Sequence, residues 1–434
     1  MAVGLAAVAV ADYLKEAAAD IAGIGHRPLK FDFGQFQRAA MDLSDGRNPY
    51  DTYLNMHCHA WCLGGYIYTP LLAEALRPLA HMPLPSAATV WLLLTHLMLV
   101  ITIAILWRVL RGRTTTAALA MMLAAGLLFQ PVYENISYVQ IGVLLLLLLT
   151  AAAALHLDAR PGWNAGSGAL IGLASILKLT PVLTVPALMP VGWARRTQAG
   201  GRVEGALGVV TAAAAATLLV GVMLVAVPHT ADFFTRVLPH IGGGTAVYEN
   251  KSLPSLVGRV FNAAAELSGR TVRESDVLGP DAKVVALAAT ALVLGPLVLL
   301  AARMVPRPAA EWSARATAFA GFVAAMPIAS TITWRHHLVV NLLAMALLLP
   351  SLWPLAGRTA SRAGQWLVVA SYPLTSVPQD LANRAALSGG LDHHSLLYAV
   401  RYLAVQDLNL LGMVFLWLAC VLALMGLRSP APAA

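Results

Sequence analysis

Asp32 stands in the run LKFDFGQFQRAAMDLSDGRNPYD, between Phe31 and Phe33 and ahead of a Gly46-x-x-Pro49-Tyr50 turn. A carboxylate beside apolar rings has its charged form disfavoured, so its pKa rises and it can take a proton as a general base. The same position also suits the N-cap of a helix running from Phe33 to Leu43, where a carboxylate accepts from free backbone N–H groups. Cations with a bearing on phosphate chemistry follow at intervals. Lys178 ends GALIGLASILKLTP, Lys251 lies between Asn250 and Ser252 in HIGGGTAVYENKSLPSLVGRVF, and Arg335, His336 and His337 lie in STITWRHHLVVNLL. Guanidinium, ammonium and imidazole groups stabilise a phosphate or pyrophosphate leaving group. For Lys178 the alternative is a side chain snorkelling to the headgroups, and for the glycine-rich run a plain loop.

Aromatic and amide groups complete the candidate set. GGYIYTPLLAEALRPL carries Tyr66, Tyr68 and Pro70 ahead of an amphipathic segment with Glu74 and Arg77. It fits an interfacial helix that guides a lipid substrate, or an aromatic belt that only anchors the chain. Glu134, Asn135 and Gln140 flank a helix turn at membrane depth, where ionisable groups are expensive and normally have a partner or a substrate. The cluster His57-Cys58-His59-x-x-Cys62 has zinc-ligand residue types, but neighbours on one short segment seldom all reach one ion, so no metal site is expected.

The elements that hold these residues are membrane helices. Of the 434 residues 59% are hydrophobic and 12% charged, against roughly a quarter charged in a soluble domain. Runs such as Trp91 to Trp107, Ala206 to Val227 and Leu408 to Leu427 approach the ~20 residues that span a hydrocarbon core. Apolar segments begin near residues 86, 115, 140, 166, 179, 206, 284, 315, 338, 365 and 406, the pair at 166 and 179 being short and proline-rich. If each crosses once, one face collects Arg108, Arg111, Arg113, Arg160, Arg195, Arg196, Arg202, Arg303, Arg307, Arg315, Arg358, Arg362 and Arg428. By the positive-inside rule that face is cytoplasmic, and of the 21 acidic residues it keeps only Asp158, Glu204 and Glu311. The polar chemistry therefore belongs outside, on stretches of about 12–85, 229–283 and 379–405 of one integral domain, residues 1–434. The net charge of +8 comes from scattered turn arginines with no interleaved aromatics, which excludes a nucleic-acid partner. Three cysteines support no disulfide framework. The opening apolar stretch Met1 to Ala11 reaches about half-way across a bilayer. It reads either as a half-inserted helix or, preferably, as the remainder of a first transmembrane helix.

These pieces, in order, resemble glycosyltransferase family 87, the polyprenyl-phosphate-mannose-dependent mannosyltransferases within the C-type membrane glycosyltransferases. The resemblance rests on Asp32-Phe-x-x-Phe-x-x-Ala-Ala with Gly46-x-x-Pro49-Tyr50, Tyr68-Thr-Pro70, Gln140, Lys178-Leu-Thr-Pro181, Asn250-Lys-Ser252-Leu253 and Trp334-x-His336-His337. The family often has Asn-Gln-Ser where this chain has Asn250-Lys251-Ser252, and an acid where it has Arg335. The resemblance implies an all-α polytopic fold of about 11–12 transmembrane helices with outer loops and short interfacial helices. It implies a plasma-membrane enzyme moving a hexose, mannose first, from a polyprenyl-phosphate donor to a lipid or glycan acceptor on the extracytoplasmic face, with inversion and no cofactor. Asp32 is then the base. Lys178, Lys251, Arg335, His336 and His337 hold the donor phosphate, and Tyr68, Gln140, Asn250 and Ser252 touch substrate. Two other classes remain open: a lipid flippase or transporter, which needs charged residues lining a midplane cavity where these runs are nearly uncharged, and a non-catalytic scaffold of envelope synthesis.

Overall fold

The computed structural model describes residues 2–24, 31–55, 65–158, 160, 162–193, 199–270, 278–307, 310–353, 361–378, 381–382 and 395–427. Among them the chain is helical, with no strand. Alanine and leucine favour helix, and in lipid a helix satisfies its backbone groups within its own segment. Helices α1 (Ala2–Gly23), α2 (Phe31–Ser44), α3 (Asp51–Asn55) and α4 (Pro70–Ala75) precede the long α5 (Leu84–Leu110). α6 (Thr116–Leu127) and α7 (Gln130–Ser137) nearly form one helix, followed by α8 (Gly142–Asp158), α9 (Trp163–Leu177), a 3-10 helix (Thr180–Leu188) and α10 (Ala199–Ala226). Short elements come next: α11 (Thr230–Asp232), a π-helix (Phe233–Val237), α12 (Leu238–Ile241) and α13 (Leu253–Leu267). The chain continues through α14 (Pro280–Arg303), α15 (Glu311–Ala329), a 3-10 turn (Arg335–Val340), α16 (Asn341–Leu352), α17 (Arg362–Thr375), α18 (Leu396–Gln406) and α19 (Leu408–Gly426).

Each of the eleven expected segments coincides with a helix. Among the described residues six helices are long and apolar enough to cross a membrane: Leu84–Leu110, Thr116–Ser137, Arg202–Ala226, Pro280–Arg303, Arg335–Leu352 and Leu408–Gly426. This is a multi-pass membrane architecture. The opening segment differs from expectation, because α1 runs on for 22 residues, about 33 Å at the α-helical rise. Its alanines sustain helix beyond the apolar start; Asp12, Lys15 and Glu16 are exposed, while Tyr13 is buried and bonds His96 Nδ1 at 2.6 Å. The zinc-like cluster at 57–62 lies outside the described residues.

The proline-rich pair at 166 and 179 forms a hairpin. Pro181 and Pro186 suit a 3-10 path, which rises faster per residue than an α-helix. Nine residues thus return almost as far as the fifteen of α9, and the Asn164 side chain ties the Leu188 and Glu204 carbonyls at 3.1 and 2.9 Å. Lys178 is left near the hairpin tip. α9 packs on α10 through small residues: a Cβ on Gly168 would lie 2.0 Å from the Gly208 oxygen, and one on Gly172 2.6 Å from that of Ala212. Such close approach is how helices associate in lipid.

α15 is the central helix, with every side chain from Ala316 to Ala329 buried. Beyond it the chain is pinned by the Thr333 hydroxyl to the Pro327 carbonyl at 2.7 Å and then enters the 3-10 turn that carries the histidines. α7 and α8 pack against that turn.

Candidate active site

α2 supplies Asp32 from its first turn. Phe33, Phe36, Ala39 and Ala40 form its buried face, and the Gln37 amide donates to the Leu79 and Met82 carbonyls at 2.9 and 2.7 Å, fixing the helix against the chain ahead of α5. Asp32 itself is half-buried. Its Oδ2 accepts from Gln140 Nε2 at 2.7 Å, so the carboxylate is tied across the fold. Gln140 follows Val139, whose φ of 52° is rare for a β-branched residue. The turn is held by Gln140 N donating to the Asn135 carbonyl at 2.9 Å and by Trp91 Nε1 donating to the Gln140 carbonyl at 3.3 Å. Gln140 Oε1 accepts from the Tyr68 hydroxyl at 3.4 Å and from Ile141 N at 3.3 Å, which orients the amide with its N–H toward Asp32. Burial pushes the Asp32 carboxyl above the usual carboxylate range, while the Gln140 donor and the Lys178 charge draw it down.

Lys178 lies over the Tyr68 ring, 5.7 Å from its centroid, and its amine lies against His337 Nε2. Trp334 N–H donates to His337 Nδ1 at 3.0 Å, so the neutral imidazole keeps its proton on Nε2, where it is a donor. An ammonium likewise offers only N–H. Two donors thus converge at one point, the arrangement that a phosphate oxygen accepts from a pair.

The remaining predicted residues sit behind this pair. His336 is buried, its ring 4.4 Å from that of His337 and 5.5 Å from that of Tyr138. Arg335 NH2 pairs with Glu134 Oε1 at 2.5 Å, and its NH1 donates to the Val377 carbonyl at 3.2 Å. Lys251 is fully buried, with Nζ donating to the Tyr248 and Gln406 carbonyls at 2.6 and 3.0 Å. Asn250 donates to the Thr245 and Thr331 carbonyls and accepts from Ser252 N and Thr333 N, bracing the segment that leads to the histidines. Ser252 caps α13, accepting from Ser255 N at 3.2 Å. Asp32, Tyr68, Gln140, Lys178 and His337 therefore come together, while Asn250, Lys251, Ser252 and Arg335 are engaged with the protein's own groups.

A cavity of about 620 Å³, counted to its open mouth, adjoins the pair. Tyr68, Lys178, Thr180, Ser330, Trp334 and His337 line it with polar groups, and Leu179, Phe233, Leu238, Ile241 and Ile332 supply apolar wall. Sequence reasoning missed this wall. Phe233 opens the π-helix, an element found often at functional sites, and nothing in its local sequence marks it.

The model of glycosyltransferase family 87 matches residues 66–331, more than half of the chain. The protein belongs to glycosyltransferase family 87. Tyr68, Gln140, Lys178 and Asn250 to Ser252 lie inside the family match; Asp32 and Arg335 to His337 lie beyond its ends. Similar proteins include the polyprenol-phosphate-mannose-dependent alpha-(1-2)-phosphatidylinositol pentamannoside mannosyltransferase of Mycobacterium tuberculosis, 33% identical over 45% of this chain and 42% of the relative. The polyprenol-phosphate-mannose-dependent alpha-(1-2)-phosphatidylinositol mannoside mannosyltransferases of Mycobacterium tuberculosis and Mycolicibacterium smegmatis are 27% and 28% identical, each over 37% of this chain and 39% and 38% of the relative. The matched stretch spans about two fifths of the length of each relative.

Proposed function

We propose that the chain transfers mannose from a polyprenyl-phosphate carrier to a hydroxyl of a lipid or glycan acceptor, with Asp32 as the base and Lys178 and His337 on the donor phosphate. The observation that carries this reading is the convergence of the Lys178 amine and His337 Nε2 at the wall of a cavity lined by both polar and apolar side chains. A lipid phosphate has the same mixed chemistry. The apolar wall suits the first prenyl units, and Leu179, which is exposed, gives the chain a way out toward the bilayer. Asp32 is linked to Tyr68 of the cavity lining through Gln140.

In a single displacement the acceptor oxygen attacks the sugar C1 while its proton passes to the Asp32 carboxylate. The C1–O bond to phosphate breaks, its electron pair goes to the phosphate oxygen, and the donor diester monoanion leaves as a monoester dianion. Attack opposite the leaving group inverts C1. The added negative charge arises where Lys178 and His337 present N–H groups, so they stabilise the transition state more than the ground state. The names of the relatives support a mannosyl donor on polyprenol phosphate and a phosphatidylinositol mannoside as the first acceptor to try. The arginine asymmetry supports an extracytoplasmic site in the plasma membrane.

The test is a membrane assay with radiolabelled polyprenyl-phosphate-mannose. Label is expected in a glycolipid or glycan that extracts separately from the donor. Movement of intact donor across the bilayer without transfer would make the protein a flippase, and neither outcome would make it a scaffold.

A further inference from the structure

We infer that Glu134 is a positioning residue for the donor site, acting through Arg335, and that Arg335 is not itself a phosphate ligand. The inference rests on the donor-site reading above. Arg335 follows Trp334, whose backbone N–H fixes the His337 tautomer, and precedes His336. Its guanidinium is held on two sides, by Glu134 of α7 at 2.5 Å and by the Val377 carbonyl at 3.2 Å. The side chains of the pair are 14% and 9% exposed, so water screens the charges little and each depends on the other. Arg335 is absent from the residues lining the cavity, whereas Trp334 and His337 line it.

α7 carries more of this clamp. A Cβ on Gly142 would lie 2.3 Å from Asn135 Nδ2 and 3.1 Å from the His336 carbonyl, so Asn135 and His336 meet over a glycine with no room for a side chain. The Tyr138 ring lies 5.5 Å from that of His336. One short helix therefore holds both Arg335 and His336, and the ion pair is a charged member of that contact. Breaking one half of a buried pair leaves an uncompensated charge, whereas removing both halves leaves a neutral contact. Loss of the clamp would move His337 Nε2 away from Lys178, which slows phosphate departure without touching Asp32.

Wild type, Glu134→Gln, Arg335→Met and the double variant, as full-length protein in membranes, are compared for mannose transfer from polyprenyl-phosphate-mannose and, after purification in detergent, for thermal unfolding. Each single variant is expected to lose roughly 10- to 100-fold in kcat with a smaller change in donor KM and an unmoved acid limb of the pH profile, and to unfold roughly 5 °C lower. The double variant is expected to recover to within a fewfold of wild type and to unfold above both singles. A double variant as inactive as Arg335→Met would overturn the inference, because Arg335 would then be touching the donor. Additive unfolding shifts would overturn it too. An inert wild type would sink the donor reading alone, and the unfolding comparison would still decide whether the pair is coupled.

Discussion

Asp32 is held between opposing influences, and on the proposed reading their balance sets the pH dependence of transfer. Burial raises its pKa, while the Gln140 N–H and the Lys178 charge stabilise the anion. The carboxylate must be deprotonated to accept the hydroxyl proton, so activity is lost as pH falls through its pKa. Replacing Gln140 by Leu removes a donor to the charged form and raises that pKa further. The acid limb of kcat/KM is therefore expected to move to higher pH in Gln140→Leu, measured across pH with donor subsaturating; an unmoved limb, or one moved down, contradicts the role given to this bond. Asp32, Tyr68, Lys178 and His337 were legible as candidates, since ionisable and hydroxyl groups in so apolar a chain cost energy unless something compensates them. Their partnerships were not. Gln140 meets Asp32 across 108 positions and Lys178 meets His337 across 159, and only tertiary packing decides such pairs. The same limit explains Lys251 and Asn250, whose residue types suit a phosphate or sugar but whose hydrogen bonds go to backbone groups that the sequence does not place nearby.

At the scale of elements, the hairpin of α9 and the 3-10 helix decides where Lys178 sits. Its prolines and its shortness were visible in the sequence, and the two segments were expected to run in opposite directions. The packing that fixes their depth was not, because Gly168 and Gly172 matter only through the facing carbonyls of Gly208 and Ala212 in α10. Gly168→Val is expected to force these helices apart at a cost of about 3 kcal/mol, the upper range for overpacking, with a lowered unfolding temperature and reduced transfer as the Lys178 tip shifts. A variant with wild-type unfolding would show that the helices can separate freely and that their contact does not set the tip. α1 extends beyond its apolar stretch for a related reason. Hydropathy marks where the apolar residues stop, whereas helix propensity carries the alanine-rich turns past Asp12 and Glu16.

For the whole molecule, the segments and their order were legible because hydropathy and the bilayer impose the same period on any chain. The extracytoplasmic face proposed for the site rests on the arginines alone, and accessibility tests it. In a background lacking native cysteines, Ser44→Cys and Gly243→Cys are expected to react with an impermeant thiol reagent in intact cells while Gly200→Cys does not; labelling at Gly200 would put the Arg-rich turns outside. The proposal that this family 87 protein is a base-assisted transferase is tested most directly at Asp32. Asn is nearly isosteric with Asp, so Asp32→Asn keeps the contact with Gln140 and removes only the base. Transfer of labelled mannose from polyprenyl-phosphate-mannose should fall by roughly 10²- to 10⁴-fold, with expression, membrane insertion and donor binding retained. Transfer within a fewfold of wild type would contradict the assignment and move the base to Asp42, Asp45 or Asp51.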